Sequence, residues 1–160
     1  KGWRILTSEE NESLKNVTNQ IINDDDYKYP RAMKDSIDRT KILFVATDID
    51  GAKGDIPPSV MVSVENSGSP KFDPKFSLRT ISTIFFEKGD KVTVPVDGIN
   101  IGGVEFAWVE SFDKKDKVRQ RTYLANLRNL AFQIYLTFET EEELKVLLNS
   151  LNSLKIEIVR

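Results

Sequence analysis

The basic side chains that could bind a partner are concentrated in one short stretch: Lys114, Lys115, Lys117, Arg119 and Arg121. Ammonium and guanidinium groups at this density attract carboxylates and lipid head groups. We therefore predict that this stretch docks an unidentified acidic protein partner or an envelope component. The alternative interpretation is a solvated hairpin whose lysines keep it soluble and discourage edge-to-edge aggregation.

Acidic residues are concentrated in two other stretches, Asp24–Asp26 and Asp48–Asp55. The second stretch begins like a calcium-binding loop, but Lys53 stands where that loop requires glycine, and Ser59 stands where it requires a bidentate glutamate. We interpret both stretches as loops and predict no metal site and no cofactor, while binding of a cation by either loop stays an open question.

Histidine and cysteine are both absent from the chain. Their absence removes Ser-His-Asp and Cys-His catalysis, disulfides, and the commonest ligands of transition metals. Catalysis by a pair of carboxylates remains possible, but no pair of acids is singled out by its spacing. We therefore predict that the protein is not an enzyme, with a carboxylate-dependent hydrolase as a less favoured alternative.

The charge balance argues against nucleic acid as a partner. The chain has 23 basic and 25 acidic residues, so its net charge is −2 and no broad positive field exists.

No apolar run approaches the roughly 20 residues that span a bilayer, so no transmembrane segment is predicted. Because the chain begins at Lys1 and not at methionine, we expect that a segment has been removed, whether a tag, a signal peptide or a lipid anchor. Composition does not fix the compartment, because a chain without cysteine fits the cytosol and a secreted protein equally.

Three helices are predicted from their start signals. Thr7 and Glu10 form a capping box ahead of a helix over residues 8–23, and Thr140 and Glu143 form another ahead of a helix that ends near residue 152. The pair Asp73-Pro74 predicts the start of a helix that ends near residue 89.

Strands account for much of the remaining chain. Ile42–Ala46 is an uninterrupted apolar run, which is typical of a strand buried on both faces, and we expect it to pair with Val60–Val64. Leu130–Phe138 alternates cleanly between apolar and other residues and predicts a central half-buried strand. The remaining predicted strands are an antiparallel meander before it, with a charged tip at 113–117 and a short turn at 128–129, and a terminal strand over 154–159.

Five short segments occur in this order: Gly2-Trp3, Gly102-Gly103-Val104, Val118–Tyr123, Phe132–Phe138 and Leu148–Leu151. With them, the chain resembles the PsbP-like superfamily, in particular its bacterial secreted or lipoprotein-type members. The resemblance implies an α+β fold in which residues 1–160 form a single domain. That fold is an α/β/α sandwich with a central antiparallel sheet flanked by helices. It also implies partner binding rather than catalysis. An extracytoplasmic location, secreted or membrane-anchored, is a further implication, with a cytoplasmic location as the alternative. Metal contacts in photosystem members depend partly on histidine, so no metal site carries over.

We therefore predict a non-catalytic, protein- or envelope-associated binding module. The alternative is a small-ligand carrier. The three classes of function require different structures: a carrier needs a pocket of roughly 300–1,000 Å³ with a few convergent polar groups. A docking module needs an exposed patch, and an enzyme needs acids close together with perturbed pKa values.

Overall fold

An antiparallel sheet of eight strands dominates the protein. The computed structural model describes residues 3–23, 35–36, 38–48, 50, 56–67, 71–87, 89–95 and 97–156. The strands are β1 (Trp3–Ile5), β2 (Thr40–Asp48), β3 (Ser59–Asn66), β4 (Lys91–Thr93), β5 (Ile99–Ile101), β6 (Val104–Phe112), β7 (Arg119–Leu127) and β8 (Leu130–Phe138). Their spatial order is β1-β2-β3-β8-β7-β6-β4, and β5 pairs with the other end of β6. The prediction of a central strand at β8 is confirmed.

Two hairpins close through two-residue loops whose residues all have positive φ. Gly102 and Gly103 have φ of 58° and 86°, and Arg128 and Asn129 have φ of 52° and 73°. Two consecutive left-handed residues match the right-handed twist of paired strands. Arg128 and Asn129 therefore form the short turn that the sequence predicts, and they bring β8 directly alongside β7.

Three helices lie among the described residues: α1 (Ser8–Asn23), α2 (Pro74–Glu87) and α3 (Glu141–Asn152). All three begin where the sequence predicts. The Thr7 amide donates to Glu10 at 2.8 Å, and the Glu10 amide donates to the Thr7 hydroxyl at 3.3 Å. Thr140 and Glu143 form the same reciprocal pair at the start of α3. Among the described helices, none combines the length and apolar character that a membrane span requires.

One face of the sheet, which we call the apolar face, carries the larger core. The stripe formed by Leu144, Leu147 and Leu151 of α3 packs against it. The buried strand residues beneath this helix are Val62, Phe106, Tyr123, Ala125, Ile134, Leu136 and Phe138. Removing these apolar surfaces from water is the main contribution to stability on this side of the sheet.

The described residues cover only part of the opposite face, which we call the polar face. Helix α2 packs over β6 and β7, where Leu78 contacts Val109, Leu124 and Ala131 in a second, smaller core. Helix α1 lies against β2 at the other side of the sheet. Strands β3 and β8 run between these two helices and form the floor of a groove.

The predicted α/β/α sandwich is wrong. The protein is mainly an open antiparallel sheet, because α1 and α2 cover separate margins of the polar face instead of forming a layer across it.

The strand Ile42–Ala46 does pair with β3 as predicted, but it is not buried on both faces. Leu43 is 46% exposed and lies at the break in the register between Ile42 and Phe44. In the predicted terminal strand, residues 154–156 form no strand, and residues 157–159 lie outside the described part of the chain.

Candidate functional site

An open groove of about 1000 Å³ lies on the polar face of the sheet. We call it the sheet groove. Strands β3, β8 and β7 form its floor, and residues of α1, β2 and α2 form its sides. Its volume lies at the upper end of the range of roughly 300–1,000 Å³ that is usual for small-molecule sites.

The floor of the sheet groove is polar along three neighbouring rows of the sheet. The rows cross β3, β8 and β7 in register as Ser59–Thr137–Gln120, Met61–Tyr135–Thr122 and Ser63–Gln133–Leu124. All of these residues except Met61 and Leu124 are polar. Because side chains alternate along a strand, the apolar residues between them point to the apolar face and leave the polar ones to the groove.

A chain of hydrogen bonds runs through the middle of this floor. The hydroxyls of Ser63 and Tyr135 both donate to the side-chain oxygen of Gln133, at 3.2 and 2.5 Å. The side-chain nitrogen of Gln133 in turn donates to Glu65 at 3.4 Å. Ser63 is fully buried, and Gln133 and Glu65 are each 9% exposed. Buried polar groups are tolerated when they are hydrogen-bonded in this way, and these hydrogen bonds fix the orientation of each side chain.

Tyr135 keeps its proton and its role as a donor. Burial raises the pKa of its phenol, and the negative charge of Glu65 raises it further. Both causes disfavour the phenolate, since a charge is costly to bury and is repelled by a like charge. The hydrogen bond from Tyr135 to Gln133 therefore persists across the physiological pH range.

Glu65 is held from the α1 side of the groove as well. Its carboxylate accepts from the Ser36 hydroxyl at 2.7 Å and from the Arg39 guanidinium at 3.0 Å. Together with the bond from Gln133, both carboxylate oxygens are occupied. Glu65 is also the one carboxylate among the described residues that line the groove.

Lys15 of α1 adds a second cation at the same end of the groove. Its ammonium donates to the backbone oxygen of Thr40 at 3.1 Å. The Thr40 hydroxyl donates to the backbone oxygen of Ser36 at 2.8 Å, which draws these residues together. Within the described chain, Lys15 forms no salt bridge. Because Arg39 and Glu65 neutralise each other, the described residues of the groove lining carry one excess positive charge.

The α2 side of the groove is mainly apolar. Phe72, Phe76, Ile81 and Ile84 line it beside three hydroxyl residues, Ser77, Thr80 and Thr83. Phe76 is 69% exposed and stands at the rim, while Ile81 also packs against the smaller core. The groove thus places hydrocarbon and aromatic surface opposite a charged end, an arrangement suited to an amphipathic small molecule.

The structure separates the five residues of the predicted basic patch into two groups. Lys114, Lys115 and Lys117 are exposed at the tip between β6 and β7. Arg119 and Arg121 instead lie on the apolar face. The three lysines remain available to a partner, whereas the two arginines are engaged within the fold.

Both arginines are bound to Glu110 of the neighbouring strand. Arg121 donates from its Nε to Glu110 at 2.8 Å and stacks over the ring of Trp108 at 4.5 Å, while Arg119 stacks over Phe138 at 5.0 Å. Cation–π contacts and paired carboxylates of this kind hold a guanidinium in place. Docking through the complete basic patch stays a prediction.

The two acidic loops can be located only in part. Asp24–Asp26 and Asp55 lie outside the described residues, whereas Asp48 ends β2 and Asp50 is an exposed turn residue. Within the described ranges, no cluster of three or more acids is arranged to hold a metal ion.

The residues of the sheet groove were not predicted as a site from the sequence. The available signal was the polar side of two strands, with Ser63 and Glu65 in β3 and Gln133 and Tyr135 in β8. Such a pattern normally indicates a face turned to solvent. Only the pairing of β3 with β8, far apart in the chain, joins the two polar rows into one floor.

No protein-family model, no curated protein and no solved structure matches this chain. The resemblance to the PsbP-like superfamily stays a prediction. The function must therefore be inferred from the geometry of the sheet groove and from the surface of the protein.

Proposed function

We propose that the protein binds a small amphipathic molecule in the sheet groove and does not transform it. The observation that carries this proposal is the buried hydrogen-bonded floor of Ser63, Gln133, Tyr135 and Glu65 beneath an open groove of about 1000 Å³. Polar groups buried in a sheet face cost stability unless they are satisfied, so a floor of this kind favours a binding role over a packing role.

The composition of the groove favours binding over hydrolysis. Hydrolysis by paired carboxylates needs two acids roughly 5–9 Å apart across the substrate. Glu65 is the one carboxylate among the described groove residues, and its oxygens are already engaged by Ser36, Arg39 and Gln133. A single carboxylate whose oxygens already accept hydrogen bonds is suited to positioning its neighbours.

The docking function predicted from the sequence remains a second, weaker candidate. It depends on the exposed tip lysines Lys114, Lys115 and Lys117, because Arg119 and Arg121 are bound to Glu110. Exposed lysines at a hairpin tip are also explained by solubility alone. The groove combines a volume of about 1000 Å³ with converging polar groups, and for that reason we favour the carrier role.

The proposal is tested with N-phenyl-1-naphthylamine, a neutral dye whose emission rises in apolar surroundings. Thr80 of α2 lines the groove and is exposed, so Thr80→Trp should fill part of the groove without disturbing the core. Arg79 is the next residue along the helix, is also exposed and does not line the groove, so Arg79→Trp is the matched control.

We expect saturable dye binding to the wild-type protein. Thr80→Trp should weaken it about tenfold, which corresponds to ~1.4 kcal/mol, and Arg79→Trp should leave it unchanged. Melting temperatures of both variants verify that they are folded. The proposal fails if the wild type shows no saturable binding, or if both variants bind the dye as the wild type does.

A further inference from the structure

We infer that the natural ligand of the sheet groove is an amphiphile with a carboxylate head group, which lies at the Lys15 end of the groove. This inference rests on the proposed function and specifies its ligand class. It follows from the charges that line the groove, the donors that remain at one end, and the position of the apolar wall.

The charge at the α1 end is not balanced within the described protein. Arg39 and Glu65 form a salt bridge at 3.0 Å, so their charges offset each other. Lys15 donates to a neutral backbone oxygen and forms no salt bridge with a described residue. One excess positive charge beside a partly enclosed groove is complemented by a ligand with one negative charge.

Unused donors also remain at this end of the groove. A lysine ammonium has three donors, and one N–H of Lys15 is occupied by the Thr40 carbonyl. Arg39 has five donors, and its recorded side-chain bond goes to Glu65. A carboxylate has two oxygens that accept charge-assisted hydrogen bonds, so Lys15 and Arg39 could bind it from neighbouring positions.

One row of the sheet links the charged end to the apolar wall. Thr40, Glu65, Ala131 and Asn126 are paired across β2, β3, β8 and β7. The first of these residues binds Lys15, and the side chain of the last donates to the backbone oxygen of Phe72 at 2.9 Å. A ligand with its carboxylate at Lys15 would therefore extend its hydrocarbon part over Ala131 toward the aromatic side of the groove.

The inference is tested by displacing N-phenyl-1-naphthylamine with decanoate, decanol and decyl phosphate. These compounds have the same chain and differ in head group. Lys15→Met removes the ammonium and retains the aliphatic stem. Lys41→Met is the matched control, because Lys41 is exposed on β2 and does not line the groove.

We expect decanoate to bind the wild type more tightly than decanol or decyl phosphate. In Lys15→Met, decanoate should lose about tenfold in affinity, the usual effect of a charge-assisted hydrogen bond, and decanol should lose little. Lys41→Met should behave as the wild type for all three compounds. Added salt should weaken decanoate selectively in the wild type.

Each of the following results would overturn the inference. Equal binding of decanoate and decanol would remove the role of the charge, and tighter binding of decyl phosphate would exclude a carboxylate as the preferred head group. An equal loss for decanoate and decanol in Lys15→Met would indicate that Lys15 contributes packing and not charge. If decanol binds and decanoate does not, the proposed function survives and this inference fails. If the dye itself does not bind, both fail.

Discussion

Gln133 of β8 donates a side-chain hydrogen bond of 3.4 Å to the carboxylate of Glu65 on β3. The same glutamine accepts from two hydroxyl groups, those of Ser63 and Tyr135, so it connects four side chains across two strands. The two strands are central in the sheet, and yet none of the described helices forms a layer over this face of them. The proposed binding of a small molecule rests on this buried polar network beneath an open groove.

The network makes Gln133 important for stability. In Gln133→Ala, the carboxylate of Glu65 loses a donor, and the hydroxyls of Ser63 and Tyr135 lose their acceptor. We expect a loss of about 1–3 kcal/mol in the free energy of unfolding, measured by urea denaturation, because buried groups are left without partners.

A matched glutamine serves as the control for that experiment. Gln120 lies on the same face in β7, and no side-chain hydrogen bond links it to a described residue. Gln120→Ala should change the unfolding free energy by no more than about 0.5 kcal/mol. Equal losses in the two variants would mean that the hydrogen-bonded chain contributes nothing specific to stability.

The salt bridge from Arg119 to Glu141 should make a small contribution to stability that depends on pH. The hydrogen bond and charge of Arg119 hold the pKa of the Glu141 carboxyl below its ordinary value of 4.5. The unfolded chain therefore binds the proton more readily than the native one. The stabilisation is complete above pH 4.5 and is lost as the pH falls through the lowered native pKa.

Glu141→Gln should reveal this dependence in urea denaturation at two pH values. Near pH 7 the wild type should be more stable than the variant by less than about 1 kcal/mol, because Glu141 is 60% exposed and its charge is screened. Below pH 4.5 the difference should shrink progressively as the pH falls. A difference that stays constant between the two pH values would show that the charge of Glu141 is irrelevant to stability.

The exposed tip of the β6–β7 hairpin allows the docking hypothesis to be tested separately from the groove. The combined substitution of Lys114, Lys115 and Lys117 by glutamate should leave the melting temperature and the dye affinity unchanged, because these residues contact neither the core nor the groove. If the tip docks an anionic partner, the same variant should lose cosedimentation with vesicles that contain phosphatidylserine. A fall in dye affinity would instead place part of the ligand site at the tip.

The helices were predicted well because their signals are local. The reciprocal bonds of Thr7 with Glu10 and of Thr140 with Glu143 join residues three positions apart, so the pairs can be recognised in the sequence itself. The alternation in β8 likewise identifies a central strand without knowledge of its neighbours. How far each helix extends over the sheet depends on packing, and the sandwich prediction was wrong for that reason.

The candidate site depended on contacts between distant parts of the chain. Ser63 and Gln133 are 70 positions apart and become neighbours only when β3 pairs with β8. Similarly, Arg119 and Arg121 were predicted as free cations, because their bonds to Glu110 require the register of β6 with β7. A sequence pattern indicates which residues share a face of one strand, but not which strand lies beside it.

The most direct test of the central claim is to map the binding site by amide chemical shifts in ¹H–¹⁵N NMR spectra during titration with decanoate. We predict that the largest shifts fall on the groove strands, around Glu65, Ala131 and Gln133, and on the amides near Lys15 and Phe76. Shifts concentrated at the β6–β7 tip, or on the face covered by α3, would contradict the account.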